Sequence, residues 1–387
     1  MVGDLFWNVN QTRLGVERYG VRQRIYGIFS GKRVLIIGHT GFKGSWLAVW
    51  LRMLGAEVAG VALDPPSKPS HFEAAKLASG ILDHREDIRD RKALGDVVAR
   101  VSPDFVFHLA AQPLVRRSYA DPCETYETNV IGTLNVLEAL RVLDKPCVAV
   151  LITSDKCYDN VEWVWGYRET DALGGPDPYS ASKGAAEVVI RSHVKSFFPA
   201  ATTKVRIGVG RAGNVIGGGD WAEDRIVPDC VRAWSDGREV ALRNPMATRP
   251  WQHVLEPLSG YLTLAAALHD QPALHGEPFN FGPPAAQNQT VLELVEGMGK
   301  HWDKVRWADV SVSHDGPYES GLLKLNCDKA QHHLRWRAVL GFEETVRLTA
   351  EWYRAYYEGH QDIGAVTRAQ IQAYTAIAAE AGLAWAR

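Results

Sequence analysis

Apolar and polar positions follow two different periods along the first half of the chain. Five short apolar runs predict buried β-strands, at Val34–Ile37, Glu57–Leu63, Phe105–Leu109, Ala149–Ile152 and Thr203–Gly208. The stretches between these runs have the apolar spacing of helices. This alternation predicts the α/β class, with a doubly wound parallel sheet that carries helices on both faces.

The pattern loosens beyond residue 210 into pieces that glycine and proline interrupt, among them GNVIGGGDWAEDRIVPD, NPMATRPWQHV and FNFGPP. Because long loops in a compact chain usually carry binding residues, a smaller mixed α/β domain that binds a ligand is expected there. We predict an arm at 1–30, a first domain at 31–205, a second domain at 206–357 with interleaved segments, and a helical tail at 358–387. The arm is either flexible or ordered on a neighbouring subunit.

Composition excludes several classes of protein. The 387 residues, 46% of them hydrophobic, are enough for a large core, and 43 basic against 45 acidic side chains leave no charge excess for nucleic acid or an anionic membrane. No apolar run reaches the roughly 20 residues that span a bilayer, and the N-terminus is too polar for a signal peptide. The five cysteines are scattered without metal-ligand spacing. We expect a cytoplasmic protein with reduced thiols, no metal and a small-molecule ligand.

A glycine triplet stands between the first predicted strand and the helix after it, in GKRVLIIGHTGFKGSWLAVW. Gly38, Gly41 and Gly44 form GxxGxxG, a variant of the fingerprint whose glycines allow a tight turn and a close approach of the backbone to a pyrophosphate at a helix N-terminus. Taken alone, the triplet is also compatible with a plain turn.

Acidic residues after the next strands strengthen the dinucleotide interpretation. Asp64 follows Gly44 by about 20 residues, the spacing at which a carboxylate accepts hydrogen bonds from ribose hydroxyls. A carboxylate there repels a 2′-phosphate, so NAD is favoured over NADP; the alternative is a turn residue before two prolines. Asp87–Ile88 is a candidate for the adenine. His39 and Lys43 are expected near the pyrophosphate, unless Lys43 points outward from the first helical turn.

Tyr179 and Lys183 lie one helical turn apart in PYSASKGAAE, so their side chains share a helix face. An ammonium near a phenol favours the phenolate, so the pKa of Tyr179, about 10 when unperturbed, is expected to fall and let the phenol act as a base. Ser154, just past a predicted strand in ITSDKCYDN, is placed to bond the same substrate oxygen.

Together these motifs resemble the extended short-chain dehydrogenase/reductases over residues 31 to 350, with support from HLAAQ, NVIGT and RAGNVIGGGD. The resemblance implies a Rossmann-type NAD-binding first domain and a nucleotide-sugar substrate. The cofactor-binding residues that it implies are Gly38, Thr40, Gly41, Phe42, Lys43, Gly44, Asp64, Asp87, Ile88, Ala110, Ala111, Gln112, Thr153, Tyr179 and Lys183.

The pair after Ser154 distinguishes reactions within this superfamily. Sugar 4-epimerases usually have small or uncharged residues there, whereas 4,6-dehydratases have an acid and a second proton-transfer group; this chain has Asp155 and Lys156. Together with GHTGFKGSWL, WVWGYRE, GGPDPYSASK and RPWQHVLEPLSGYL, the TSDKCY context is similar to the CDP-glucose branch of the dehydratases.

The resemblance implies a mechanism for 4,6-dehydration. Tyr179 takes the proton of the sugar 4-hydroxyl while hydride leaves C4 for NAD. Lys156 removes the C5 proton, given a pKa lowered by Lys183 or desolvation, protonated Asp155 assists the departing C6 hydroxyl, and hydride returns to C6. Alternatives are exchanged roles for Asp155 and Lys156, a salt bridge between them, a 4-epimerase, a dehydratase for dTDP- or GDP-sugars, and a non-catalytic NAD-binding relative.

Substrate-binding residues are expected in the second half. Asn214 matches a position that contacts sugar or diphosphate in related enzymes, and Arg225 and Arg249 are suited to phosphate because guanidinium offers two donors at once; surface salt bridges are the alternative. The chain departs from many dehydratases near Glu319, where Lys324 is a candidate substitute. Trp221 and Trp251 are candidates for a pyrimidine platform or for the core. The resemblance implies a homodimer through the helices near Asn129 and Tyr179, with a homotetramer left open.

Overall fold

The computed structural model describes residues 25–310, 322–359 and 361–387. Its centre is a seven-stranded sheet in the order β11-β6-β5-β4-β1-β2-β3, with every neighbouring pair parallel. The strands of this sheet are β1 Arg33–Ile37, β2 Glu57–Ala62, β3 Leu82–Arg85, β4 Phe105–His108, β5 Cys147–Ile152, β6 Val205–Arg211 and β11 Pro278–Asn280. The α/β class and the parallel sheet are confirmed.

Three two-stranded sheets lie outside the large one, and their strands come from the second half of the chain. They pair β7 with β10, β9 with β12, and β8 with β13. The strands are β7 Val215–Ile216, β8 Val240–Leu242, β9 Thr248–Arg249, β10 Gln252–His253, β12 Gln289–Thr290 and β13 Trp307–Asp309. Because β6 and β11 complete the large sheet, the chain crosses between the two regions more than once. The domain boundaries themselves stay a prediction.

Helices cover both faces of the large sheet. They are α1 Ile25–Ile28, α2 Phe42–Met53, α3 His71–Ala74, α4 Arg91–Val101, α5 Val115–Ala120, α6 Pro122–Tyr126, α7 Thr133–Arg141, α8 Pro178–Phe197, α9 Ile226–Ser235, α10 Leu255–Asp270, α11 Val291–Gly299, α12 Asp328–Leu334, α13 Phe342–Glu358 and α14 Ile363–Glu380. A π-helical segment, Glu127–Gly132, joins α6 to α7, and short 3₁₀ helices span Leu77–Gly80, Asp155–Cys157, Pro272–Leu274 and Ala384–Ala386.

The sequence predicts the five central strands to within a few residues but not the two edge strands. Strand β3 reads LDHR and is partly exposed along its length, so it has no apolar run to reveal it. Strand β11 has three residues and begins with proline, which edge strands tolerate. Both edges therefore depend on pairing with a central strand and not on local pattern.

The strand order reverses between β1 and β4, which are neighbours in the sheet. In doubly wound folds the crevice at this switch point receives the ligand. Gly38 follows β1 and Ala110 follows β4, and the backbone N–H of Ala110 donates to the Ile37 carbonyl at 2.9 Å. The glycine turn and the HLAAQ segment thus meet at the mouth of the crevice.

The described end of the N-terminal arm belongs to the body. Ile25 and Phe29 are fully buried, and the Phe29 ring lies 4.8 Å from that of Phe105 on β4. Ile25 and Phe29 therefore extend the core on one face of the sheet. The rest of the predicted arm lies outside the described residues.

The C-terminal tail forms the predicted helix, α14, which packs on α2 directly after the glycine turn. Thr367 of α14 contacts the buried His71, whose ring nitrogens lie 3.1 Å from the Thr367 hydroxyl and 2.8 Å from the Ser45 hydroxyl of α2. The His71 ring also stacks on Trp46, with centroids 5.0 Å apart. The tail therefore supports the helix that begins at the glycine turn.

Three consecutive glycines, Gly217 to Gly219, let a loop of the second half lie against this support. A Cβ on Gly218 would come within 2.1 Å of the Trp352 ring of α13, and one on Gly219 within 2.7 Å of His71. The indole N–H of Trp46 donates to the Gly218 carbonyl at 2.8 Å. Only glycine fits this close approach of backbone to aromatic rings.

Candidate active site

The glycine turn has the shape that a dinucleotide pyrophosphate requires. A Cβ on Gly38 would lie 2.6 Å from the backbone nitrogen of Ala110, and one on Gly44 would lie 2.1 Å from the Gly38 carbonyl oxygen. Gly41 is the N-cap of α2 and makes no side-chain cap, so the first amides of the helix are free for an anion. The turn thus fits the diphosphate of NAD.

His39 is not at the pyrophosphate, contrary to the sequence-based expectation. Its buried ring lies 2.8 Å from an Asp83 carboxylate oxygen of β3, and a Cβ on Gly60 would overlap the ring. Burial lowers the pKa of His39, although Asp83 acts in the opposite direction. The residue holds the edge of the sheet, and its neighbour Thr40 donates to the Leu63 carbonyl.

Asp64 lies just past β2 with 95% of its side chain exposed. Arg85 is 3.6 Å from its carboxylate, but the Arg85 guanidinium is engaged by Asp83 at 2.7 Å and by the Leu63 carbonyl. The Asp64 carboxylate remains accessible to a ribose. Asp87 binds Arg89 with both a backbone and a side-chain contact, so its role towards the adenine stays a prediction.

Asn129 connects the cofactor side of the crevice to the catalytic helix, a role that the sequence did not predict. Its side-chain oxygen accepts from the Gln112 N–H at 2.8 Å, and its amide donates to the Gln112 carbonyl and to the Ser182 hydroxyl. It lies in the π-helical segment, a feature often found at functional sites. Asn129 thereby fixes the HLAAQ loop relative to the turn of α8 between Tyr179 and Lys183.

Helix α8 carries the tyrosine and lysine on one face, as predicted. Asp177 caps it by accepting from the Ser180 N–H, and Pro178 occupies its first position. Both functional side chains are buried, and the Lys183 ammonium lies 5.9 Å from the centre of the Tyr179 ring.

The predicted fall in the Tyr179 pKa is wrong for the chain by itself. Burial raises the pKa of Tyr179 to about 12, and the Ser154 hydroxyl and the charge of Arg225 only partly oppose this effect. Burial likewise lowers the pKa of Lys183 to about 8. Desolvation disfavours both charged forms, and it is the largest effect on each of the two pKa values.

Ser154 and Asp155 follow β5 and lie against the second half of the chain. The Ser154 hydroxyl donates to one Asp155 carboxylate oxygen at 2.8 Å, and the Asn214 amide donates to the other at 3.4 Å. A Cβ on Gly213 would lie 1.8 Å from that carboxylate, which explains the glycine. Asn214 therefore contacts Asp155, one of the candidate catalytic residues. Its contact with the substrate stays a prediction.

Lys156 lies in the short 3₁₀ helix Asp155–Cys157, and its backbone N–H donates to the Ser154 hydroxyl at 3.2 Å. Its side chain is half-buried, whereas Asp155 is buried. The cap fixes the direction in which the chain leaves β5, so Ser154, Asp155 and Lys156 emerge together at the carboxyl end of the sheet.

A buried ion pair lies directly behind the catalytic groups, and it was not predicted. Glu187, one turn beyond Lys183 on α8, binds Arg211 of β6 with two contacts of 2.8 Å. Glu187 also accepts from the Thr153 hydroxyl, and Arg211 donates to the Tyr158 hydroxyl at 2.7 Å. This network ties the catalytic helix to β5 and β6.

The substrate-side arginines lie in different surroundings. Arg225 is half-buried, donates to Asp220 at 2.8 Å, and is close enough to Tyr179 to affect its pKa. Arg249 is half-buried on β9 and donates to its neighbour's carbonyl at 2.8 Å. Of these two residues, Arg225 is thus the one that the structure brings to the catalytic groups.

The sequence also predicts Lys324, Trp221 and Trp251 as candidates on the substrate side. The backbone carbonyl of Lys324 accepts from the Tyr167 N–H at 2.8 Å, which places it beside the loop after Lys156. Glu319 and Ser320 lie outside the described residues. Trp221 and Trp251 are both buried, and Trp221 packs against Trp352 at 5.7 Å, so Trp221 belongs to the core.

Comparison with known proteins identifies the family. The GDP-mannose 4,6 dehydratase family matches residues 35–349, which contain every described group of the site. The chain belongs to this dehydratase family.

Individual relatives include a dehydratase and, at lower identity, an epimerase. A CDP-glucose 4,6-dehydratase of Salmonella typhimurium is 47% identical to this dehydratase over 350 residues, 89% of this chain and 97% of the relative. A UDP-glucose 4-epimerase of Mycoplasma genitalium is 24% identical over 339 residues, covering 84% of this chain and 97% of the relative.

Solved structures confirm the fold. A UDP-glucose-4-epimerase from Stenotrophomonas maltophila with bound NAD superposes with a TM-score of 0.72 at 22% identity, covering 85% of this chain and 99% of that one. A UDP-glucose 4-epimerase from Brucella ovis in complex with NAD gives 0.70 at 20% identity, covering 84% and 98%. The dehydratase thus has the Rossmann-type fold that the sequence predicts. Within the described ranges, no helix is long and apolar enough to cross a membrane.

Proposed function

We propose that this protein catalyses the NAD-dependent 4,6-dehydration of CDP-glucose, giving CDP-4-keto-6-deoxyglucose and water. The observation that carries the proposal is the pair Asp155–Lys156 directly after Ser154, gathered with Tyr179 at the carboxyl end of the sheet. The 47% identity to a CDP-glucose 4,6-dehydratase supports the choice of nucleotide.

The first step is proton removal from the sugar 4-hydroxyl. Tyr179 is the acceptor, and the Ser154 hydroxyl binds the same substrate oxygen. The glycine turn of Gly38, Gly41 and Gly44 would hold NAD, which would supply the hydride chemistry needed at C4 and C6. Because burial raises the pKa of Tyr179 to about 12, the positive charge of Lys183 near the ring and that of Arg225 are needed to favour the phenolate.

The dehydration step uses the pair after Ser154. The ketone at C4 acidifies the C5 hydrogen, Lys156 removes that proton, and protonated Asp155 assists the C6 hydroxyl as it leaves as water. Ser154 and Asn214 both donate to the Asp155 carboxylate and hold it in position. Lys156 is less buried than Asp155. An exchange of the two roles is the alternative.

A substrate panel tests the proposal. CDP-, dTDP-, GDP- and UDP-glucose are incubated with the NAD-loaded protein, and the keto product is followed by its absorbance in alkali. Rapid formation of a 6-deoxy-4-keto sugar from CDP-glucose is expected. A product that retains its 6-hydroxyl with inverted C4 would instead identify a 4-epimerase, the activity of the structural neighbours, and equal rates with all four nucleotides would contradict the CDP assignment.

The proposal includes a homodimer in the cytoplasm. Tyr126, Ile131 and Val188 are 39–47% exposed on α6, the π-helical segment and α8, three elements that pack on one another. An apolar face of this kind suits a two-fold helical interface. Light scattering on the full chain and on Val188→Glu tests it, because the substitution should produce monomers; a monomeric wild-type chain would dismiss the dimer. The product would enter deoxysugar synthesis for cell-surface polysaccharide such as O-antigen.

A further inference from the structure

Lys43 lies at the cleft between the two halves of the protein, since a Cβ on Gly217 would come within 3.3 Å of the ring of its neighbour Phe42. It lies in the first turn of α2 and is half-buried. The largest effects of neighbouring charges on Lys43 come from Arg225, Asp155, Lys183 and Asp220. These are the groups of the candidate catalytic and substrate side.

The ammonium of Lys43 has no partner among the described residues, whereas its neighbours are engaged. Asp220 binds Arg225 at 2.8 Å, and Asp155 binds Ser154 and Asn214. Burial lowers the pKa of Lys43 to about 8, and the positive charge of Arg225 adds to this effect. A cation that is desolvated and near other cations is stabilised by an anionic ligand.

Two helix N-termini lie at this cleft. The amides of α2 belong to the glycine turn, where the cofactor pyrophosphate fits. Helix α9 begins at Ile226, and its N-cap Arg225 makes no side-chain cap. The N–H groups of Ile226 and Val227 are therefore available to a second anion, whereas Pro228 has none. The first turn of α2 lies beside the loop between β7 and α9, because a Cβ on Gly217 in that loop would lie 3.3 Å from the Phe42 ring.

We propose that Lys43 binds the diphosphate of the nucleotide sugar, together with Arg225 and the N-terminus of α9, and that it is not a ligand of the cofactor. The inference rests on the proposed function for the class of substrate, since a nucleoside diphosphate supplies the second anion. Lys43 then joins the two ligands: its backbone belongs to the cofactor turn and its side chain to the substrate.

The test measures binding and does not need turnover. The affinities of CDP and of cytidine for the NAD-loaded protein are determined by calorimetry for wild type, Lys43→Met, Lys43→Arg and Lys32→Met, with NAD content measured in each. Lys43→Met should weaken CDP binding about tenfold to hundredfold and leave cytidine binding and NAD content unchanged. Lys43→Arg should recover most of the affinity, and Lys32→Met, an exposed lysine before β1, should match wild type.

Two outcomes would overturn the inference: an unchanged CDP affinity in Lys43→Met, or a loss of NAD from that variant before any change in CDP binding. A failure of the proposed function is a separate result. If the wild type binds UDP or dTDP in preference to CDP, the CDP-glucose assignment is wrong, and the same comparison made with the preferred nucleotide decides the role of Lys43.

Discussion

At the scale of single residues, the sequence suggests that Lys156 is the base at C5. Its backbone contact with Ser154 does not by itself establish that role. Its backbone is capped by Ser154, and its side chain is half-buried. In the proposed mechanism, Tyr179 and Ser154 serve the oxidation at C4, whereas Lys156 serves only the proton at C5. Removing its amine should therefore separate the two half-reactions.

Lys156→Ala should retain NAD and oxidise C4 but stop before loss of water. Mixing it with CDP-glucose should give a burst of reduced cofactor, seen by its absorbance, with no keto-6-deoxy product. Lys195→Ala, which removes an exposed lysine on α8, is the control and should turn over normally. Full turnover by Lys156→Ala would show that another group is the base.

Glu187 and Arg211 show what the sequence could not reveal at this scale. Both stand in quoted stretches, PYSASKGAAE and RAGNVIGGGD, but they belong to different elements, and only the pairing of β5 with β6 brings α8 near β6. Tyr179 and Lys183 share a helix face, so local spacing found them. The partner of a buried charge is set by tertiary structure, and local spacing carries no sign of it.

Glu187→Gln should destabilise the fold by about 3–5 kcal/mol, because it leaves the Arg211 charge buried without compensation. Urea unfolding measures this. Glu124→Gln is the matched control, since Glu124 makes a two-contact pair with Arg117 at the surface, and it should leave the midpoint nearly unchanged. Equal effects of the two substitutions would contradict the structural role of the buried pair.

At the scale of elements, α14 contributes to the cofactor turn through a chain of hydrogen bonds. Thr367 accepts from the Trp352 indole at 3.1 Å and contacts His71, which contacts Ser45. The sequence predicts a helix here from its apolar stripe, but the partner of that stripe, α2, is more than 300 residues away in the chain. The helix could be predicted, and its place on α2 could not.

Thr367→Val should cost about 1–3 kcal/mol of stability, because the buried Trp352 indole N–H and a His71 ring nitrogen lose a partner. It should also weaken NAD binding by loosening Ser45. Thr375→Val is the control: Thr375 lies on the same helix and bonds only the Ile371 carbonyl. Unfolding midpoints and NAD titrations of both variants check the prediction. If both lose NAD affinity equally, the His71 connection has no special role.

At the scale of the whole molecule, three buried histidines and one buried glutamate determine how the free energy of unfolding changes in acid. Burial lowers the pKa values of His71, His108 and His253 to about 3 each. Below pH 6.5 the unfolded chain binds protons at these sites while the folded chain does not, so stability falls as pH falls from 6.5 towards 3. Burial raises the pKa of Glu256 to about 7, so Glu256 acts in the opposite direction between its ordinary pKa and 7.

We expect the free energy of unfolding to fall by about 1.4 kcal/mol per pH unit for each such histidine on the acid side. His71→Gln should make the dependence on pH less steep than in wild type, measured by urea midpoints above and below pH 6.5. A wild-type stability that is independent of pH in this window would contradict the prediction.

The packing of Gly217–Gly219 involves residues that lie beyond the segment matched by the family. The family match stops at residue 349, yet the ring against which Gly218 rests belongs to Trp352, and Tyr353 binds the carbonyl of Asp220, the partner of Arg225. Residues beyond the matched segment therefore hold Asp220, the partner of the proposed substrate arginine. We expect substitutions of Trp352 or Tyr353 to change substrate binding without touching a residue in the cleft.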